Sequence, residues 1–132
     1  MSWLRRPDVR LTPRAARGRR AEALACGYLD AQGYDILARN VRFPIGEIDI
    51  VAREGQTLCF IEVRSASSVQ WGGALASITD RKRQRVIRAA QWYLHTARLQ
   101  LPETRFDVVA IEWRPAAPPA LELVRGAFTA DA

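Results

Sequence analysis

Two short stretches hold the residues best suited to chemistry: Glu47-Ile-Asp49 and, thirteen positions after Asp49, Glu62-Val-Arg64. Side chains alternate faces along a strand. If GEIDIVA and LCFIEVR are two strands of a hairpin, Glu47, Asp49 and Val51 share a face with Leu58, Phe60, Glu62 and Arg64, while Ile48 and Ile50 line the other. A two-residue loop at Gly55-Gln56 within REGQT sets opposite each other the residues whose numbers sum to 111. Asp49 is then expected opposite Glu62, and Glu47 opposite Arg64. Facing carboxylates repel, and the apolar residues on the same face imply burial, which unpartnered carboxylates resist. A hard divalent cation, Mg²⁺ or Mn²⁺, answers both problems. It takes carboxylate oxygens and water, leaves positions for a phosphate, and can activate a water against it. The bland alternative is a pair of ordinary exposed acids on a sheet.

These strands need elements around them. Alanine, arginine and leucine at helical spacing predict a first helix over 14–31, closed by Gly33. One stripe of that helix reads Gly18, Glu22, Ala25, Cys26, Leu29, so Glu22 is an acid on an apolar face. It is either a third acid near the metal or the partner of Arg19 or Arg42. DILARNVRF is expected to be the first strand of a three-stranded meander. Thr79 is the expected N-cap of a second helix over 80–98, RFDVVAIEW is a fourth strand, and LELVRGAF adds an edge strand after the connector PAAPPA. The order α-β-β-β-α-β predicts an α/β fold, a mixed sheet flanked by helices.

At 132 residues the chain fits one domain, expected over 14–128 behind a flexible basic arm of residues 1–13. Apolar residues make up 48% and charged residues 26%, and no apolar run reaches membrane-spanning length. A soluble, cytoplasmic protein without a signal peptide is the expectation. Residues 1–20 hold seven arginines (5, 6, 10, 14, 17, 19 and 20) against one acid, Asp8, and so carry the whole net charge of +6. Such an arm suits a phosphate backbone, and equally a solvated leader. Cys26 and Cys59 lack ligand spacing and read as small buried hydrophobes. His95 reads as a surface or helix-end residue, Trp71 and Trp92 as structural aromatics or base-stacking platforms, and Arg105 with Asp107 as an ion pair supporting the site.

The block GEIDIVAREGQTLCFIEVRS, with RRAEALACGYLDAQGYDILARN before it and RFDVVAIEW after it, resembles the YraN family of bacterial proteins over roughly residues 17–113. That family looks like a member of the PD-(D/E)xK nuclease superfamily, similar to archaeal Holliday-junction resolvases. The resemblance implies a restriction-endonuclease-like fold, with Asp49 as the motif aspartate, Glu62 as the motif acid, Glu22 as the acid on the first helix, and Glu47 on a further motif position. The chain departs from the pattern in having Arg64 where the family has lysine and Ala66 where a basic residue is usual. A guanidinium stabilises phosphate charge but is a poor proton acceptor. Among 19 arginines the single lysine is Lys82, on an apolar stripe of the second helix with Val86, Ala89, Ala90, Tyr93 and Ala97. It matches a family lysine and is expected either to lean toward the carboxylates or to snorkel at the helix start.

The expected function is a metal-dependent nuclease acting on DNA. Asp49, Glu62 and Glu47 would bind the metal, with Asp49, Glu62, Arg64, Glu22 and Lys82 the catalytic set. Arg14, Arg17, Arg19, Arg20 and Arg64 would contact the nucleic acid. The alternatives are a non-cleaving nucleic-acid-binding protein of the same fold, or an adaptor for a DNA-processing partner. A resolvase-like activity would require a homodimer.

Overall fold

The computed structural model describes residues 13–67, 73–97 and 103–130. Helix α1 (Pro13–Ala31) leads into strands β1 (Asp35–Phe43), β2 (Gly46–Glu54) and β3 (Thr57–Ala66). A 3₁₀ turn (Leu75–Ser77) precedes helix α2 (Asp80–Ala97), and β4 (Glu103–Glu112) and β5 (Ala120–Phe128) follow. The strands lie side by side in chain order. β1, β2 and β3 form an antiparallel meander, β4 joins β3 in parallel after the α2 crossover, and β5 is antiparallel to β4. This is the expected α/β mixed sheet. Among the described residues no helix is long and apolar enough to cross a membrane.

The sheet has a core on each face. Ile48, Val51, Leu58, Phe60 and Val108 pack with Val86, Ile87, Ala89 and Ala90 of α2. Ile50, Ala52, Cys59, Ile61 and Val109 pack with Ala21, Ala25 and Leu29 of α1. Cys59 is fully buried, as expected, whereas Cys26 is only partly so. The ends of the helices follow local chemistry. Gly33 has a φ of 95°, and the Tyr34 amide returns to the Leu29 carbonyl at 3.0 Å, which closes α1. The Thr79 hydroxyl accepts the Lys82 amide at 3.2 Å and caps α2.

The β2–β3 hairpin has the expected register: Ile50 faces Ile61, Ala52 faces Cys59 and Glu54 faces Thr57. Gly55, with a φ of 60°, supplies the first central position of its turn. The expected pattern fails further along. Pairing of β2 with β3 stops at Ile50 and Ile61, so the segments 46–49 and 62–66 run on without pairing to each other. Glu47 instead pairs with Arg42 of β1, not with Arg64, and β3 continues along β4 as far as Ala66 and Glu112. The alternation also breaks here: Ile48 belongs to the α2 face and Ile50 to the α1 face, so the predicted shared face of Ile48 and Ile50 is wrong. Asn40 on β1, with a φ of 52°, takes the left-handed conformation at the corresponding place. The sheet is thus forked, with β1 and β2 on one arm and β3, β4 and β5 on the other.

Two contacts hold the fork in shape. At the start of β2, a side chain on Gly46 would run into the backbone carbonyl of Arg85, so α2 lies directly against this arm. On the other arm β4 and β5 carry a bulge between Phe106 and Val108, where fully buried Asp107 accepts Arg105 Nε at 2.7 Å, the Tyr34 hydroxyl at 2.9 Å and the Gly126 amide at 2.9 Å. Arg105 also reaches Glu54 at 2.7 Å, as does Arg125. The expected Arg105–Asp107 ion pair is present.

Gly46→Ala should cost about 1–3 kcal/mol through overpacking against α2, read by urea denaturation. Hydrogen bonds from Arg125 first, then Arg105, hold the Glu54 carboxyl down at about 2, against an ordinary 4.5. The depressed value means that Glu54 stabilises the fold above pH 4.5 and that this contribution is lost as pH falls toward about 2. Glu54→Gln should therefore lower stability by about 1 kcal/mol at neutral pH and not below pH 2.

Candidate metal and phosphate site

The fork brings Asp49 and Glu62 together. At the first position beyond the last paired residues, Asp49 Oδ2 accepts the Val63 backbone amide at 2.8 Å. A side-chain carboxylate thus replaces the carbonyl that a continued ladder would have offered. Glu62, on the adjoining residue of β3, is almost fully buried, and the charge of Asp49 bears on its carboxyl. With both carboxyls ionised, Glu62 Oε2 is a buried oxygen with no donor. Its Oε1 faces two cations, Lys82 Nζ at 3.4 Å and Arg64 Nη1 at 3.7 Å.

The electrostatics follow from this packing. Burial is the largest influence on Glu62, followed by repulsion from Asp49, and together they push its carboxyl up to about 8 despite Lys82 and Arg64. Burial also raises Asp49, opposed chiefly by the hydrogen bond from the Val63 amide. Both carboxyls are raised together, so the pair takes up a proton more readily than either group would alone. A divalent cation can replace that proton, and the hard oxygen donors and the orphaned Oε2 fit Mg²⁺ or Mn²⁺.

The other expected residues are distributed around the pair. Lys82 lies within 4.0 Å of Glu47 as well as near Glu62; α2 aims it at the carboxylates. Arg64 donates from Nε to Ser77 Oγ at 2.8 Å, and Ser77 in turn donates to the Ala74 carbonyl, so the 3₁₀ turn fixes the guanidinium. Glu22 accepts Asn40 Nδ2 at 2.9 Å and Arg39 Nε at 3.3 Å. These partners correct the expectation of Arg19 or Arg42. Burial raises the Glu22 carboxyl, and so does the charge of Asp49, which places Glu22 within the field of the pair. Glu47 stands 3.8 Å from Arg42. Among the described residues no group of three or more Asp, Glu, His or Cys side chains is gathered to hold a metal ion. Glu47 shares Lys82 with Glu62, and its charge helps to raise the Asp49 carboxyl; Mg²⁺ accepts as few as one or two protein carboxylates when water and phosphate complete its shell.

Of the basic residues expected to meet nucleic acid, Arg17, Arg19 and Arg20 are exposed on α1, and Arg20 stacks over the Trp113 ring at 4.9 Å. The Arg14 side chain, the arginines of the arm and Trp71 lie outside the described residues. Trp92 is half exposed, in edge contact with Phe43, and His95 is in the last turn of α2. Sequence reasoning missed Arg39, Asn40 and Ser77. Asn40 left a signal, since asparagine is depleted in strands and tolerates the left-handed conformation.

Glu62 yields a pH dependence opposite in sign to that of Glu54. Its carboxyl stands at about 8 in the folded protein against an ordinary 4.5, so the folded state binds the proton more tightly than the unfolded chain. Its contribution to metal-free stability is full below pH 4.5 and is lost as pH rises through about 8. Glu62→Gln should remove that decline, making the variant more stable than wild type at pH 9 in thermal melts with a chelator present. At neutral pH, Mn²⁺ binding to wild type should release a proton, seen by calorimetry in buffers of differing ionisation enthalpy, and binding to the variant should not.

The family model described as uncharacterised protein family UPF0102 matches residues 21–111. A UPF0102 protein of Chlorobium limicola is 47% identical over 94 residues, covering 71% of this chain and 73% of its own. One from Shewanella sp. (strain ANA-3) is 48% identical over 95 residues, 72% of this chain and 87% of its own. One from Desulfosudis oleivorans is 40% identical over 121 residues, 92% of this chain and 96% of its own. The match spans β1 to β4, Asp49, Glu62 and Lys82 included, and the chain belongs to the UPF0102 family.

Proposed function

We propose that this protein is a divalent-metal-dependent phosphodiesterase acting on DNA. The observation that carries the reading is the pairing of half-buried Asp49 with buried Glu62, one of whose oxygens lacks any donor at the base of a fork in the sheet. A buried acceptor left unsatisfied costs about 1–3 kcal/mol, and a like-charged neighbour adds to that cost. A site with that property is suited to a cation that arrives from outside. Asp49 and Glu62 would hold Mg²⁺ or Mn²⁺, which when bound polarises a phosphoryl oxygen and lowers the pKa of a bound water.

The remaining residues divide the work. Arg64, braced by Ser77, presents a guanidinium beside the pair and would hold the scissile phosphate. Lys82 is the one lysine of the chain and stands 3.4 Å from Glu62. It would steady the Glu62 charge and offer an exchangeable proton, which a guanidinium does poorly. Glu22, held by Asn40 and Arg39, would set the local field and the position of β1 beside Asp49. The arginines of α1 would track the backbone beyond the site.

A second reading has its own support. Arg64 stands in the lysine position and is already engaged by Ser77 and Glu62, which favours a nucleic-acid-binding protein of the same fold that does not cleave. The adaptor reading gains no comparable observation.

One assay separates the two: single-stranded, duplex and junction DNA incubated with Mg²⁺ or Mn²⁺. Wild type should cleave at least one of these substrates, and Asp49→Asn and Glu62→Gln should each lose at least about 100-fold in rate. Lys82→Ala should lose about 10–100-fold. Activity that survives Asp49→Asn would place the site elsewhere. A wild type that binds DNA without cutting it, and gains activity in Arg64→Lys, would establish the non-cleaving reading.

A further inference from the structure

A second concave site lies on the α1 face, at the end of the parallel strands β3 and β4. It is a cavity of about 310 Å³ lined by Arg17, Arg20, Ser67, Trp113, Arg114 and Pro119, among others, with no acidic residue in its wall. The ion pairs of the described residues include none of these three arginines. Arg20 is nevertheless held in place, stacked over Trp113. The Trp113 backbone amide donates to the Ala66 carbonyl at 2.8 Å, tying the start of the β4–β5 connector to β3. The Trp113 indole N–H is itself buried without an acceptor. Among the described residues only two buried side-chain polar atoms lack a partner, this one and Glu62 Oε2. One is a donor in a wall of arginines and the other an acceptor at the carboxylate pair.

We propose that this pocket is a second nucleic-acid subsite, which takes a backbone phosphate of a single strand running on from the carboxylate site. The proposal rests on the phosphodiesterase reading and specifies the form of its substrate. Three guanidinium groups and a hydroxyl suit a phosphate, and aromatic and prolyl walls suit the exposed sugar and base of an unpaired strand. A paired duplex hides those faces. Ser67 follows Arg64 by three residues, just past the end of β3 at Ala66, a distance of about 10 Å along extended chain, so the two sites lie close together at this end of the sheet. A flexible strand can turn over that end from the Arg64 side to the α1 side.

The test uses the whole protein with a chelator present, so that no cleavage occurs, and a labelled oligodeoxythymidine followed by anisotropy. Exposed Arg114 carries no fold-supporting contact among the described ion pairs, and Arg114→Glu should weaken strand binding by about tenfold or more. Tryptophan fluorescence of wild type should change on adding the strand, and that change should be reduced in Trp113→Phe. The same charge reversal at Arg53, which faces Leu58 near the far, hairpin end of β2, should leave strand binding as in wild type. Inorganic phosphate and a 5′-mononucleotide should compete only weakly. Equal affinity of wild type and Arg114→Glu would overturn the proposal while leaving the phosphodiesterase reading intact. A mononucleotide that displaces the strand stoichiometrically at low concentration would overturn it too, by making the pocket a nucleotide site. No strand binding by wild type would overturn the proposal as well, and the phosphodiesterase reading would then stand or fall on cleavage of duplex and junction DNA.

Discussion

The structure turns on one substitution of groups: where the β2–β3 ladder ends, the Asp49 carboxylate takes the Val63 amide that a backbone carbonyl would otherwise have taken. Each backbone N–H must find an acceptor when water is excluded, so a sheet can open only where something else supplies one. Asp49 does so with one oxygen. That single bond lets β2 leave β3 while both remain paired on their outer sides, and it draws an ionisable group into the place where the sheet divides. Glu62 is the neighbour it meets there. Burial and repulsion at this point are consequences of the fork, and α2, packed on Gly46 and bearing Lys82, closes the fork from one side.

Asp107 shows what the same device looks like when it serves the fold alone. It too sits where strand pairing is irregular, and it too accepts a backbone amide, that of Gly126. Around it, however, Arg105 and the Tyr34 hydroxyl complete a set of donors, so both oxygens are engaged and the opposing charge is in contact. Asp49 faces another carboxyl instead. Two aspartates with equivalent backbone roles, Asp107 fully buried and Asp49 partly so, thus differ in their surroundings, and only Asp49 stands beside a second carboxyl, one of whose oxygens has no donor. That difference marks Asp107 as part of the scaffold, and it is what the proposed metal-binding role of the Asp49–Glu62 pair rests on.

Much of this was legible in the sequence, and the failures are instructive. The β2–β3 register followed from the turn at Gly55-Gln56, because period-two alternation and a short loop leave little freedom. The two helices followed from periodicity and caps. The fork did not, since extrapolating the hairpin assumed regular pairing to its end, and Glu47 was consequently set against Arg64 when its actual neighbour is Arg42. What breaks the ladder is a conformation at Asn40 and a side-chain acceptor at Asp49, and neither changes the alternation of residue types. The partners of Glu22 were unreadable for a related reason: Arg39 and Asn40 reach it across a helix–strand contact whose geometry depends on that same irregularity. Local pattern specifies elements well, and departures from regularity are where it carries least information.

The exchange of lysine for arginine at position 64 also reads differently once the fork is known. A lysine in that position has one ammonium to serve both proton transfer and charge. Here the two tasks are separable, because α2 brings Lys82 to the same Glu62 oxygen that Arg64 faces. A guanidinium has five N–H donors in a planar fork, and the hydrogen bond to Ser77 occupies one of them while the contact with Glu62 orients the group. The others suit the planar, bidentate recognition of a phosphate that an ammonium achieves only as a point charge. Under the proposed phosphodiesterase reading, an amine within reach of the carboxylate would serve whichever element delivers it. On this geometry Arg64 gives up little by not being lysine, provided that Lys82 stays where α2 puts it.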